Sequence, residues 1–442
     1  MPASLDEVFS LFEARTNLEK GVSGKMREYR LDRMRELCAF FGNPQDACGV
    51  IHLAGSKGKG STAAYIAALL EAGGARVGVY SSPHLRDYRE RFTLMGEKFP
   101  ERAALETAHE LLQGLPEAEK CLSGRSPATT FELLTLFGFM LFRRLECQFT
   151  VLECGLGGRL DATNVVSRPL AVLITPVEME HAEILGSRLT DIAGEKAGIF
   201  KPGVPVWCAR QSPAVMKVLR RRAKAMGAAF YGLGDSLRRV CGCTSGVFHW
   251  RLEWRDAPPE IIMLGMGGKF QALNAALAIA AMRGIIPASS NIDLGLLADV
   301  RLPGRFQIFR RSPLMVLDGA HTPRSVGGTA AAFAALAGDC SFAEAILLFG
   351  CAEGKNHKQM ARVLAGPGKG QFKHVIVSTP GTFKPSDPAA VAESFKRTGA
   401  RVELVPNPVL AWARVLELAG SARPVLVTGS FYMAAEIARM GG

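Results

Sequence analysis

Short apolar runs separated by helix-length segments recur along the 442-residue chain, and their order predicts the architecture. Ile51-His52-Leu53-Ala54 reads as a strand that runs into Gly55-Ser56-Lys57-Gly58-Lys59-Gly60-Ser61, followed by an Ala/Leu-rich helix over Thr62–Ala72. Gly73-Gly74 closes that helix, and Ala75–Tyr80 reads as the second strand of a βαβ unit. Upstream, Met26–Leu37 has the pattern of an amphipathic lead-in helix stopped by Gly42-Asn43-Pro44. Downstream, Ala128–Glu132 caps a long apolar helix that ends near Arg143-Arg144, and Phe149–Glu153 and Leu170–Thr175 read as further buried strands. A helix ends across Gly194–Gly203. The expectation is an α/β protein whose N-terminal domain is a P-loop-type, mostly parallel sheet.

Beyond Arg301 the pattern restarts. Met315–Leu317, Ala345–Phe349, His374–Val377 and Pro424–Val427 are apolar runs spaced by helix-length segments, which predicts a smaller, Rossmann-like C-terminal α/β domain. Between the two, Val247–Trp254 alternates apolar and polar residues, the signature of a small antiparallel β insert over about 236–266. The expected domains are therefore residues 1–302, carrying the insert, and 303–442.

Composition narrows the class. The chain is 48% hydrophobic and 21% charged, which suits a soluble globular protein. No charged start with an apolar run is present at Met1–Arg15, and the most apolar segment, Phe131–Phe142, contains Glu132 and is too short to span a bilayer. The expected location is the cytoplasm, without membrane contact. Ten cysteines are scattered singly apart from Cys241 and Cys243, which lie beside Thr244-Ser245-Gly246 and read as a strand edge and turn rather than half a zinc site. A net charge of +12 permits nucleic acid but equally suits small polyanions. Lys217, Arg220, Arg221 and Lys224 fall at helical spacing as a solvated face, and no aromatic-interleaved basic strand accompanies them.

The candidate chemistry sits at the strand ends. A glycine-rich loop entering a helix can turn backbone N–H groups toward a phosphate, and the helix N-terminus adds partial positive charge. The spacing here departs from G-x-x-x-x-G-K-[ST], so a tight structural turn stays open as the alternative. Glu153 ends a buried parallel strand and is followed by Cys154-Gly155-Leu156-Gly157-Gly158, the position from which a carboxylate reaches a nucleotide-bound Mg²⁺. Ser81-Ser82-Pro83-His84-Leu85 is a polar loop at the same sheet edge, and Ser82 is either a ligand or a turn residue. His181 follows the next strand, where an isolated histidine is either structural or a ligand, and Lys196 is either reactive or salt-bridged.

These segments in this order resemble folylpolyglutamate synthase/dihydrofolate synthase of the Mur ligase superfamily: Gly55–Ser61, Ser82–Leu85, Glu153 with Gly155–Asn164, His181 with Glu183–Gly186, and Glu195–Gly203. The likeness continues through Phe270–Ala278, Leu302–Phe306, Leu317–His321 and Thr428–Tyr432. The resemblance implies an ATP- and Mg²⁺-dependent ligase that phosphorylates a substrate carboxylate and lets the amine of L-glutamate attack the acyl phosphate. The acceptor would be dihydropteroate, a reduced folate, or both. It implies that Gly55, Ser56, Lys57, Gly58, Lys59, Gly60 and Ser61, with Asn274, Arg305 and Asp318, contact ATP. Ser82 and Glu153 would hold one Mg²⁺, while His181 and Lys196, as a carbamate, would serve a second. Asp161 and Ala162 would lie by the pterin-side substrate, His321 near the acyl phosphate or incoming amino acid, and Lys59, Lys196 and His321 would be catalytic.

Several positions depart from the family pattern: Lys57 stands for an asparagine, Glu180 for an aspartate, Phe270 for a histidine and Thr322 for an asparagine. Gly350–Asn356 keeps its lysine but loses both flanking aspartates. Small-molecule substrates, no nucleic acid and a monomeric state are expected, with closure at Pro303-Gly304 shielding the acyl phosphate from water. The alternatives are a peptidoglycan-type Mur ligase using a UDP-sugar, or a P-loop ATPase that binds nucleic acid.

Overall fold

The computed structural model describes residues 2–17, 31–123, 126–243, 246–286, 292–338, 342, 344–366, 371–382 and 384–440. Contacts divide the chain into two compact units. The first comprises Met1–Arg239, Glu253–Pro258 and Leu273–Leu297, and the second Val240–Leu252, Pro259–Ala272 and Ala298–Gly442.

The first unit is built on seven strands: β1 (Gly49–Ala54), β2 (Val77–Tyr80), β3 (Phe92–Leu94), β4 (Phe149–Glu153), β5 (Ala171–Ile174), β6 (Val206–Cys208) and β7 (Phe230–Gly232). Their order across the sheet is β3-β2-β4-β1-β5-β6-β7. Every pairing is parallel except the edge pair β2–β3. Parallel strands covered on both faces must be apolar throughout, and β2 and β5 are buried at every position.

On one face, helices Leu5–Glu13, Leu31–Phe40, Glu101–Cys121 and Thr130–Arg144 pack around Phe9, Phe12, Phe92 and Phe137. On the other, Leu189–Lys196 and Pro213–Ala225 cover Val172, Ile174 and Val206. The predicted cap of the long apolar helix holds: Thr129 and Glu132 form a reciprocal capping box at the start of Thr130–Arg144. Glu132 is also gripped by Arg33, whose Nε donates at 3.0 and 2.9 Å, so the N-terminal helices are tied to this cap by a buried ion pair.

Two boundaries differ from the sequence expectation. The helix after the glycine loop runs over Lys59–Glu71, three positions earlier than Thr62, because Gly58 in left-handed backbone turns the chain directly into its first turn. The lead-in helix is described over Leu31–Phe40, and the remainder of its expected span, Met26–Arg30, lies outside the described residues. The basic cluster on Pro213–Ala225 is a solvated face as expected, since Val215, Leu219 and Ala223 are the buried positions.

In the second unit the six strands are β11 (Gln307–Arg311), β12 (Leu314–Leu317), β13 (Ile346–Phe349), β14 (His374–Val377), β15 (Arg401–Leu404) and β16 (Val425–Thr428), in the order β11-β12-β16-β13-β14-β15. All neighbours are parallel except β11–β12. The insert forms a separate sheet of β8 (Leu237–Cys243), β9 (Gly246–Trp254) and β10 (Glu260–Met263), in the order β10-β9-β8. Thr244 and Ser245, where the turn beside Cys243 is expected, lie outside the described residues.

Most of the insert groups with the C-terminal unit rather than with residues 1–302. The reason is packing: Phe248 and Phe270 lie against the C-terminal core of Phe306, Val326 and Phe333.

Candidate functional site

The first unit gathers most of its expected site residues at the carboxyl ends of β1, β4 and β5, where open parallel sheets expose a crevice. The register of β1 on β4 sets Leu53 opposite Glu153, so the Glu153 carboxylate stands beside the start of the glycine loop. Gly58 has φ of +85°, and a Cβ there would fall 2.5 Å from Asn274 Oδ1. Only glycine accommodates both the left-handed turn and this approach. Asn274 is thereby packed against the loop although it is far away in sequence.

The structure separates two roles within Gly55–Ser61. The N–H groups of Ser56 and Lys57 donate to Pro176 O at 2.8 and 3.2 Å and tie the loop to the end of β5. The intrahelical ladder starts with Thr62 N–H donating to Gly58 O at 2.9 Å. The N–H groups of Lys59, Gly60 and Ser61 therefore form the first helical turn, where no carbonyl lies four residues back within the helix, and they are the natural anion donors. Lys59 Nζ donates to Gly55 O at 3.0 Å and lies 3.6 Å from Glu153 Oε1, while Glu153 Oε2 accepts the Ser82 N–H at 3.4 Å. Glu153 is only 4% exposed. A buried carboxylate beside a lysine and a serine, facing a helix N-terminus, suits a hard cation held jointly with a phosphate.

Lys196, at the end of Leu189–Lys196, is 1% exposed and reaches the same loop, with Nζ donating to Gly55 O at 2.9 Å and to Glu180 Oε1 at 2.8 Å. Sequence reasoning noticed Glu180 only as a departure and missed its role as the lysine's partner. The available signal was its side chain, one methylene longer than the aspartate of the family pattern. Burial works to raise the Glu180 pKa, but Lys196, Lys59 and Lys57 outweigh it and hold the carboxyl down at about 2. Burial pushes Lys196 below its ordinary value, with Glu180 opposing that shift.

Other expected residues take different places. His181 adopts left-handed backbone, its side chain is 41% exposed, and its Nδ1 lies 3.7 Å from Glu183 Oε1. Asp161 and Ala162 are buried. Both Asp161 oxygens are engaged by its own loop: Oδ2 accepts Leu156 N–H at 2.9 Å, and Oδ1 accepts the Thr163 N–H at 3.0 Å and hydroxyl at 2.6 Å. Behind that clamp, His52 Nε2 and Thr163 Oγ1 are 2.8 Å apart; because the hydroxyl donates to Asp161, it accepts from the imidazole. Asp161 thus shapes the glycine loop after β4.

In the second unit, Arg305, Asp318 and His321 lie near the turn and strand that open the C-terminal sheet. Asp318 accepts from Phe306 N–H at 2.8 Å, Ala320 N–H at 3.0 Å and the Thr329 hydroxyl at 2.7 Å. Burial raises its pKa while these donors resist the shift. The Arg305 guanidinium lies 4.7 Å from the centre of the Phe431 ring. His321 Nδ1 is 2.9 Å from Gly319 O, which places the ring proton on Nδ1 and makes Nε2 the acceptor. Thr322 serves as the N-cap of Pro323–Ala337, a role that its asparagine counterpart could also fill.

The donor set fits magnesium. Among the described residues no group of three or more His, Cys, Asp or Glu side chains could hold a metal ion alone. Magnesium is usually bound through one or two carboxylates together with phosphate and water, which matches a Ser82–Glu153 pair beside a phosphate cradle.

The chain is similar to known proteins in sequence and in fold. Residues 53–282 match the Mur ligase middle domain, and residues 304–431 match the Mur ligase glutamate ligase domain. A Halobacterium salinarum protein named probable bifunctional folylpolyglutamate synthase/dihydropteroate synthase is 32% identical over 91% of this chain; the chain spans about half of that relative's length, 48%. Folylpolyglutamate synthase of Lacticaseibacillus casei is 30% identical, with 92% of each chain covered. The solved Mycobacterium tuberculosis folylpolyglutamate synthase complexed with ADP and AMPPCP superposes with a TM-score of 0.86 at 26% identity, covering 100% of this chain and 98% of that one. By its two Mur domains and this near full-length likeness, the chain belongs to the folylpolyglutamate synthase family of Mur ligases.

Proposed function

We propose that this protein is an ATP-dependent amide ligase that joins L-glutamate to dihydropteroate, to the glutamate tail of a reduced folate, or to both, and releases ADP and phosphate. The observation that carries this reading is the placement of Lys59 and Glu153 3.6 Å apart at the first turn of Lys59–Glu71. A carboxylate is a poor electrophile, and transfer of the γ-phosphoryl group supplies a leaving group for attack by an amine. The N–H groups of Lys59, Gly60 and Ser61 and the Lys59 ammonium hold the phosphates and meet charge as it builds on the transferring oxygens.

Ser82 and Glu153 would hold a nucleotide-bound Mg²⁺, whose charge neutralises the phosphoryl oxygens. His181 and Lys196 are assigned to a second ion, with Lys196 as a carbamate. Burial favours the neutral amine that reacts with carbon dioxide, whereas the Glu180 ion pair opposes it. Asn274, packed on Gly58, is assigned to the nucleotide. In the C-terminal unit, Arg305 is assigned as a phosphate donor, Asp318 as the residue that fixes the backbone around it, and His321 Nε2 as the acceptor near the incoming amine. Asp161 and Ala162 support the substrate side by shaping their loop. The protein would act as a cytoplasmic monomer.

The test is ADP release measured with a pteroyl substrate and L-glutamate, together and singly. Release that requires both supports the ligase, and release unchanged on omitting either refutes it. Parallel assays with dihydropteroate and tetrahydrofolate assign the acceptor.

A further inference from the structure

Strands β2 and β3 are antiparallel neighbours joined by residues 81–91, a connection far longer than a tight hairpin turn. Ser82 sits near its start, so a residue assigned to the nucleotide-bound ion is carried by a loop and not by a strand. Ordering a long loop costs backbone entropy. This loop offsets that cost with contacts of its own, which the ligase reading does not use.

Glu90 makes the main one. Its Oε2 accepts the Leu85 N–H at 2.6 Å and its Oε1 accepts the Arg86 N–H at 2.9 Å, so one carboxylate takes two consecutive backbone donors. Hydrogen bonds to an ionised acceptor are roughly twice as strong as neutral ones. The base that carries Glu90 is firmly held. It belongs to the 3₁₀ turn Tyr88–Arg91, which Asp87 caps by accepting the Arg89 N–H at 2.6 Å. Tyr88 stacks on Phe9 of the aromatic core at 5.5 Å, and Arg91 is buried. Arg91 also grips the loop at two points: its O accepts the Ser81 N–H at 2.9 Å, and its Nε donates to His84 Nδ1 at 3.0 Å. Ser82 is therefore bracketed, with Ser81 held on one side and His84, Leu85 and Arg86 on the other.

The bracket fixes Ser82 relative to Glu153, whose Oε2 accepts the Ser82 N–H at 3.4 Å. Magnesium demands near-ideal octahedral geometry at about 2.0–2.1 Å, so a ligand that drifts with its loop is a poor one. We propose that Glu90 is a positioning residue for the Ser82–Glu153 metal pair. Its carboxylate engages the loop backbone and acts by holding the segment that presents Ser82 to Glu153. This inference rests on the assignment of Ser82 to Mg²⁺ in the ligase reading, and the experiment separates the two.

The experiment measures, by titration, the Mg²⁺ concentration that half-saturates binding of a nonhydrolysable ATP analogue. It compares wild type, Ser82→Ala, Glu90→Gln and Glu90→Ala, and each Glu90 change combined with Ser82→Ala. Hydrogen exchange over residues 81–91 is followed by mass spectrometry on the same proteins. Glu90→Gln keeps one acceptor and turns the other into a donor, whereas Glu90→Ala keeps neither, so exchange should quicken in that order. Half-saturating Mg²⁺ should rise at least about tenfold in Glu90→Ala and by less in Glu90→Gln. Because Glu90 acts through Ser82, neither Glu90 change should add a further rise once Ser82 is alanine, whereas a general loss of stability would multiply the two effects. Unchanged Mg²⁺ half-saturation in Ser82→Ala would overturn the metal assignment and the positioning role with it. A shift in Ser82→Ala with none in the Glu90 variants, or shifts that multiply in the double variants, would overturn the positioning role alone.

Discussion

Glu180 and Lys196 meet at 2.8 Å with the lysine 1% exposed, and the same ammonium also donates to Gly55 O, so the ion pair anchors the start of the glycine loop. Removing one partner of a buried pair leaves the other charge uncompensated, so Glu180→Ala is expected to destabilise the protein by about 3 kcal/mol in urea unfolding. Glu180 is held below its ordinary value of 4.5, at about 2. Its ionised form therefore contributes stability above pH 4.5 and loses it as pH falls toward 2. The stability gap between wild type and Glu180→Gln should be constant above pH 4.5 and narrow below it.

Lys59→Ala and Glu153→Ala should each reduce ligation by about a thousandfold, since each removes charge from the phosphoryl-transfer site. Circular dichroism should show an intact fold in both. Near wild-type ADP release in either purified variant would show that the site is misassigned.

Gly58→Ala should damage the loop through both its backbone and its packing. A Cβ would collide with Asn274 Oδ1 at 2.5 Å, in backbone of φ +85° that side chains resist. The expected outcome is a loss of stability of about 1–2 kcal/mol and at least tenfold weaker binding of a nonhydrolysable ATP analogue, read by thermal unfolding and titration.

His52 gives a second pH signature. It is fully buried, and burial, with Lys201 nearby, lowers its pKa from 6.5 to about 3. The unfolded chain therefore binds a proton at this position that the folded chain refuses. Stability is retained above pH 6.5 and falls as pH drops toward 3, by about 1.4 kcal/mol per pH unit from this group. His52→Gln should flatten that part of the urea stability profile between pH 6 and 4.

Much of the site was legible because its chemistry is local. The glycine loop, the carboxylate ending Phe149–Glu153 and the Thr129–Glu132 cap are each written in a few consecutive residues, and each stands where the pattern puts it. The roles of Ser56 and Lys57 were not legible, because Pro176, which takes their N–H groups, lies on another strand. The bonds of Asp161 to Leu156 and Thr163 were not legible either, because no local pattern tells which donors a buried carboxylate meets. The insert was expected within residues 1–302, whereas Phe248 and Phe270 bind most of it to the C-terminal core.

By itself, the sequence determined the two α/β sheets, the glycine-loop position and the identity of the charged groups at the strand ends, because hydrophobic period, glycine and capping chemistry act over a few residues. Only the tertiary structure decided which charges meet. Glu180 on Lys196, Asn274 on Gly58 and the arginines of β11 facing the insert depend on strand register and packing between segments distant in the chain. Coulomb energy and desolvation are set by those separations and by burial, neither of which is carried by residue order alone.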